Sequence, residues 1–231
     1  MSTRRSRFSL AAALALAACT AKSDQQTFPE ADRPVATIVG DSFSTEDARD
    51  RMDEFNRVVE LAGVKPGMWV ADVGAGEGYY AVRLSPVVGR RGRVLAEDIV
   101  PEVKERLADR IQRENLENVA VSLGRPDNPG LPRGSLDRVF LVHMYHEVGS
   151  PYAFLWHLRE SLKPGGRIIV VDASRPTQRH GTPPDLLRCE FAAVGLDLRL
   201  IRPVSGQNYL AAFEASRPRP EPAQIKPCRV Q

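Results

Sequence analysis

The residues best suited to chemistry lie in Val70-Ala71-Asp72-Val73-Gly74-Ala75-Gly76-Glu77-Gly78-Tyr79-Tyr80. A short apolar run ends in an acid, three glycines follow at every second position, and a helical pattern begins. Such a stretch reads as a buried strand turning sharply into a helix. Glycine has no Cβ, so Gly74, Gly76 and Gly78 let a ligand lie on the main chain, and the helix start aims free N–H groups and a positive dipole end at it. A dinucleotide turn wants G-x-G-x-x-G; here position 79 is Tyr and the third glycine falls one place early. A second group, His143-Met144-Tyr145-His146-Glu147, follows an apolar, β-branched run. His146 there is placed to take a proton, with Glu147 orienting the ring. The alternative for His146 and Tyr145 is packing and capping of the next helix. A third group, Arg175 to Thr182, is polar with Pro and Gly. It would bind an acidic substrate, act as a lid, or be a solvated loop.

The elements that must position these groups are legible as apolar runs and helical spacings. Ser44-Thr45-Glu46-Asp47 reads as a helix start, and Met52, Phe55, Val58, Val59 and Ala62 continue it as one helix to Gly63, lying beside the first strand and over the ligand. Strands are predicted at 69–73, 93–99, 119–123, 136–142 and 167–172, and helices at 80–88, 101–115, 151–162 and 184–194. Lys163-Pro164-Gly165-Gly166 reads as a turn before the fifth strand. Stretches 197–202 and 208–214, separated by a short Ser205-Gly206 turn, must pair as an antiparallel hairpin. Alternating strands and helices imply an α/β, Rossmann-like doubly wound sheet of about seven strands, mostly parallel, with one antiparallel strand near the C-terminus.

Asp72-x-Gly74-x-Gly76-x-Gly78 resembles motif I of the class I S-adenosylmethionine (SAM) methyltransferases. The resemblance extends through Gly92–Ile99, Gly134-Ser135-Leu136-Asp137-Arg138-Val139 and Leu162-Lys163-Pro164-Gly165-Gly166-Arg167, covering about 44–215. It implies a methyl donor, SAM, bound along the backbone of Gly74, Gly76 and Gly78, and no requirement for a metal. It implies that Asp98 accepts hydrogen bonds from both ribose hydroxyls, with Glu97, which alternation turns to the other face, as a reserve partner. Asp72 would contact the ammonium end of the methionine moiety, through water, or fix the glycine turn as a structural acid. The adenine falls to the loop at Gly124, where Arg125 replaces the family's usual acid and Asp127 is the next one. His143 would touch SAM, and His146 with Glu147 would serve the acceptor as a base.

The chain has 231 residues, 26% charged and 42% hydrophobic, with a net charge of +3. No basic run with interleaved aromatics points to nucleic acid. Arg4, Arg5 and Arg7 precede an apolar stretch, 8–18, too short to span a bilayer and read as a signal peptide over 1–18. Leu16-Ala17-Ala18-Cys19 is similar to a bacterial lipobox, which implies lipidation of Cys19 as the sole membrane attachment, a tether over 19–43 and, from Thr20, the outer membrane. Thr3-Arg4-Arg5 faintly resembles a twin-arginine signal. Cys189 and Cys228 either pair in an oxidising compartment or stay free. Residues 216–231, rich in proline, read as extended or disordered. The reading favoured is an exported, periplasmic methyltransferase acting on a small-molecule acceptor. The alternatives are a non-catalytic SAM- or nucleoside-binding lipoprotein and, against the glycine spacing, an NAD(P)-dependent oxidoreductase.

Overall fold

The computed structural model describes residues 27–38 and 45–229. The stretch read as a signal peptide, Cys19, residues 20–26 and 39–43 of the expected tether, Ser44 and residues 230–231 lie outside the described residues.

Seven strands form one sheet in the order β3-β2-β1-β4-β5-β7-β6. They are β1 (Trp69–Val73), β2 (Arg93–Asp98), β3 (Val119–Leu123), β4 (Leu136–Val142), β5 (Leu162–Ala173), β6 (Leu196–Ser205) and β7 (Asn208–Ala215). β3, β2, β1, β4 and β5 pair in parallel, while β7 runs antiparallel to both β5 and β6. The hairpin forms because Gly206 with its neighbours leaves no length for a crossover. The chain order reverses between β1 and β4, which opens a crevice at their C-terminal ends.

Both faces of the sheet are covered. α3 (Tyr79–Val88), α4 (Pro101–Arg113) and α2 (Glu54–Ala62) cover one face, where Val58, Tyr80, Leu84 and Leu107 meet Phe140 and Ile169. α5 (Pro151–Arg159) and α6 (Pro184–Ala193) cover the other, where Tyr152, Leu155 and Phe191 meet Leu141, Ile168 and Phe213. Side chains of a strand alternate between faces, so the unbroken apolar runs of β4 and β5 feed both cores. Among the described residues, no helix is long and apolar enough to cross a membrane.

Three local expectations are corrected. The single helix expected up to Ala62 is two, α1 (Glu46–Arg51) and α2, broken at Asp53 in a left-handed conformation, φ 53°. The break folds α1 back so that Arg49 reaches Glu54. Thr45 caps α1, its side chain accepting from the Ala48 N–H. The 163–166 turn is instead an irregular start of β5, with a register shift between Leu136 and Arg138. The described part of the proline-rich tail, 216–229, is docked on the fold. Cys228 is bonded to Cys189, its N–H donates to the Tyr152 hydroxyl at 2.6 Å, and Trp156 Nε1 donates to the Pro220 carbonyl at 2.9 Å. Tether residues 27–38 are docked on the fold as well. The Arg33 side chain is buried and donates to Glu190 at 2.8 Å, and Phe28 meets Trp156 edge-on.

Candidate functional site: a glycine-floored cavity at the sheet edge

A cavity of about 520 Å³ lies where β1, β2 and β4 end, within the range of small-ligand sites. Gly74, Ala75 and Gly76 border it, with Glu97 and Asp98 from β2, Arg125 and Pro126 after β3, and His143, Met144 and Glu147 after β4. Ile38, Thr45, Glu46 and Arg49 complete the rim, so the segment before β1 does lie over the site.

The floor is bare main chain. A Cβ on Gly76 would project into open space, so the cavity reaches the backbone there. Asp98 anchors the bend: its Oδ2 accepts from the Gly76 N–H at 3.0 Å and its Oδ1 from the Val100 N–H at 3.0 Å. A carboxylate has about four lone-pair directions, so two acceptor positions are left for a ligand hydroxyl pair. Sequence reasoning expected Asp98 beside the glycines, and the structure brings them together.

Glu97 does not turn away from the site. The cavity lies across the end of β2, so both carboxylates border it. Glu97 is 1% exposed and its Oε1 has no hydrogen-bond partner among the described residues. Burial, reinforced by the charges of Asp98 and Asp72, pushes its carboxyl up to about 8. Gly124 is explained by the same residue: a Cβ there would strike the Glu97 carboxylate. Gly124 itself does not border the cavity, and Arg125 and Pro126 do.

Gly78 and Asp72 lie off the wall as well. Gly78 has φ 87° and caps α3, and a Cβ would collide with Leu107 of α4. Its need for glycine comes from that left-handed backbone and the nearby Leu107, not from ligand approach. Asp72 sits behind the floor, supported by the Ala81 N–H of α3. Burial lifts it to about 7, and its Oδ2 is unpaired among the described residues. That placement matches the structural alternative for Asp72, tying β1 to α3.

His143 borders the cavity in a left-handed conformation, φ 54°, with its ring against Glu54 at 3.0 Å. Glu54 also accepts from both Arg49 nitrogens at 2.7 and 3.0 Å and from the Tyr80 hydroxyl at 3.2 Å. Burial acts to raise Glu54, yet the His143 hydrogen bond and charge, with Arg49, hold it down at about 2. Arg49 also stacks over Tyr79, 4.0 Å from the ring centre. Sequence reasoning missed Glu54, because an acid in the first turn of a helix ordinarily reads as a dipole partner facing water.

His146 is oriented differently from expectation. Its Nδ1 lies 3.0 and 3.1 Å from the two Asp172 oxygens, at the end of β5, whereas Glu147 Oε1 stands 4.0 Å from its Nε2. Asp172 also accepts from the Thr182 hydroxyl at 2.7 Å. The orienting acid is therefore Asp172, not Glu147. The His146 ring is fully buried and does not border the cavity; Glu147 does. In the Arg175–Thr182 loop Gln178 and Arg179 are exposed, while Thr177 and Thr182 are buried and the Thr177 hydroxyl donates to the Pro34 carbonyl at 2.7 Å.

The features that would receive a nucleoside fit one: an open glycine backbone, a carboxylate pinned beside it and an unpaired buried acid on the wall. Residues 71–170 match a family model described as a methyltransferase domain. A protein-L-isoaspartate O-methyltransferase of Pyrococcus horikoshii is 32% identical over 113 residues, 49% of this chain and 48% of that protein. A ubiquinone/menaquinone biosynthesis C-methyltransferase UbiE of Pseudomonas putida is 33% identical over 128 residues, 52% of this chain and 48% of that protein. The chain thus spans about half the length of the curated relatives it matches. A SAM-dependent methyltransferase from Aquifex aeolicus superposes with a TM-score of 0.65 at 23% identity, covering 74% of this chain and 98% of that one. The strand order and the superposition give the chain the fold of that structure, and residues 71–170 are similar to a methyltransferase domain.

Proposed function

We propose that the chain is an S-adenosylmethionine-dependent methyltransferase acting on a small-molecule acceptor in the cell envelope. One observation carries the reading: Asp98 is hydrogen-bonded to Gly76 at the rim of a cavity whose floor is glycine main chain. When bound there, SAM supplies an electrophilic methyl group on a sulfonium. Asp98 accepts the ribose hydroxyls, and Gly76 lets the ligand approach the backbone. Glu97 offers its unpaired oxygen to a donor of the ligand. Glu54 locks His143, and α1 lies over the opening and excludes water. Methyl transfer needs alignment and a dry site before anything else, and these residues supply both. Of the His146–Glu147 pair, Glu147 is the one placed to meet an acceptor, because it borders the cavity and His146 does not.

The two named relatives are an O- and a C-methyltransferase, so they support methyl transfer while differing in the atom attacked. Export rests on the leader and its Cys19. The Cys189–Cys228 disulfide supports an oxidising compartment. The enzyme reading is tested by incubating the tag-free mature chain with methyl-labelled SAM and native periplasmic extract. Label in an extractable small product is expected; tight SAM binding with no labelled product would favour the non-catalytic binding protein. Cys19→Ser should move the protein from the membrane to the soluble fraction, and unchanged fractionation would remove the lipid anchor.

A further inference from the structure

Beside the donor cavity, His146, Glu147 and His180 each place a ligand-type atom within 4.8 Å of the other two. The topology assembles them. β4 and β5 are adjacent and parallel, so the turns that leave their ends, Tyr145–Glu147 and Thr177–Arg179, meet at one edge of the sheet. His180 closes the second turn in a left-handed conformation, φ 55°. The rings of His146 and His180 stand nearly perpendicular, 85°, with centres 5.4 Å apart.

Asp172 occupies the Nδ1 side of His146, which makes that nitrogen the N–H donor and leaves the Nε2 lone pair directed away from it. The buried Nε2 of His146 and the buried Nδ1 of His180 have no hydrogen-bond partner among the described residues. Buried polar atoms are seldom left so, and an unpaired one calls for an explanation. Here two imidazole nitrogens and a carboxylate converge, one imidazole backed by a second carboxylate. That backing is the arrangement that orients histidine ligands and strengthens them as bases.

We propose that His146, His180 and Glu147 bind a divalent transition-metal cation of zinc's class, with Asp172 positioning His146. The ligand set decides the class: two imidazoles favour zinc and its neighbours, whereas calcium and magnesium want oxygen throughout. Bonds of about 2.0–2.2 Å in a tetrahedron place ligand atoms roughly 3.4 Å apart. Rotations of the half-buried His180 and Glu147 side chains by about an ångström reach that spacing from the 4.0 Å between His146 and Glu147 and the 4.8 Å limit of the set. Three protein ligands leave a position open, as catalytic rather than structural zinc sites do. Glu147 also borders the cavity, so the cation lies against its wall. The use of the open position, to hold and polarise an acceptor oxygen, rests on the methyl-transfer reading; binding of the cation does not. Sequence spacing hides the site because its ligands come from the ends of two different strands.

The test uses the tag-free full chain, stripped with a chelator and titrated with cobalt(II) alone, then with zinc(II), without SAM. The expected result is one equivalent of cobalt with the intense visible absorption of a four-coordinate ion, displaced by zinc. His180→Ala should weaken cobalt binding by about 100-fold and Glu147→Gln by about 10-fold, taking the losses that follow removal of a group behind a metal ligand as a lower guide. Both positions are half-buried, and near-ultraviolet circular dichroism checks that each variant is folded. His146→Ala strands the buried Asp172, so it is not relied on. Absence of cobalt binding to the wild type, or full affinity in folded His180→Ala, would overturn the proposal. Cobalt binding without SAM binding would leave the cation site standing and remove the donor reading; SAM binding without cobalt would do the reverse.

Discussion

Glu97 and Asp72 are two acids that the fold holds in their protonated range. Both are buried behind or beside the glycine floor, the charge of Asp98 raises both, and each has an oxygen with no hydrogen-bond partner among the described residues. The sign of their effect on stability follows. A carboxyl raised in the folded state binds more protons there than in the unfolded chain, so its stabilisation is full below the unfolded value and lost as pH rises through the folded one. For Glu97 the window runs from 4.5 to about 8, and for Asp72 from 3.8 to about 7. Thermal unfolding of the ligand-free chain should therefore fall by roughly 5–10 °C between pH 5 and 8.5. Glu97→Gln should flatten much of that slope; a slope identical to the wild type would show that Glu97 is not the group responsible. Glu54 does not contribute in this window, because it is held at about 2 and its stabilisation is lost only below 4.5. Residue identity made Asp98 and the glycines readable in sequence, since their spacing is local. Glu54, Asp172 and the true role of Gly124 were not readable: each is defined by a partner on another element.

At the scale of elements, α1 differs from every other helix. It buries none of its residues and is held over the cavity by polar contacts. Arg83 pairs with Glu46 at 3.0 Å and Asp50 at 2.8 Å, and Arg110 with Glu46 at 2.5 Å. These pairs are partly exposed and weaken in salt. Raising sodium chloride to about 0.5 M, where the Debye length drops to roughly 4 Å, should speed hydrogen exchange in α1 while leaving β1 and β4 protected. Equal protection of α1 at both salts would mean that something other than these ion pairs holds it. The strands were legible because their apolar runs feed two cores at once. The break at Asp53 was not, since the apolar spacing of Met52, Phe55, Val58 and Val59 continues across it and only the reach of Arg49 back to Glu54 requires the fold-back.

Across the whole molecule, the two ends of the described chain are bound to the same side of the fold. Residues 27–38 dock through Arg33, and the tail docks through Trp156 and the Cys189–Cys228 bridge; Asp32 and Arg229 even form an isolated β-bridge. Composition alone points the proline-rich tail toward disorder, because a bridge of this kind cannot be deduced from two cysteines in a sequence. The bridge closes a separation of 39 residues. In the chain-entropy account it is worth about 4 kcal/mol, so replacing both cysteines with serine should lower the melting temperature by roughly 10 °C. The tail should then become sensitive to protease. An unchanged melt in the double variant would show that the remaining tail contacts suffice.

The architecture as a whole serves one crevice, opened where strand order reverses and floored by Gly74 to Gly76. Calorimetric titration of the folded wild type and of Asp98→Ala with SAM, S-adenosylhomocysteine and NAD addresses that crevice directly. The wild type should bind the first two and not NAD, and Asp98→Ala, with an unchanged circular dichroism spectrum, should bind them about 100-fold more weakly. Equal affinity in the two proteins, or preferential binding of NAD, would contradict the placement of the donor and the function drawn from it.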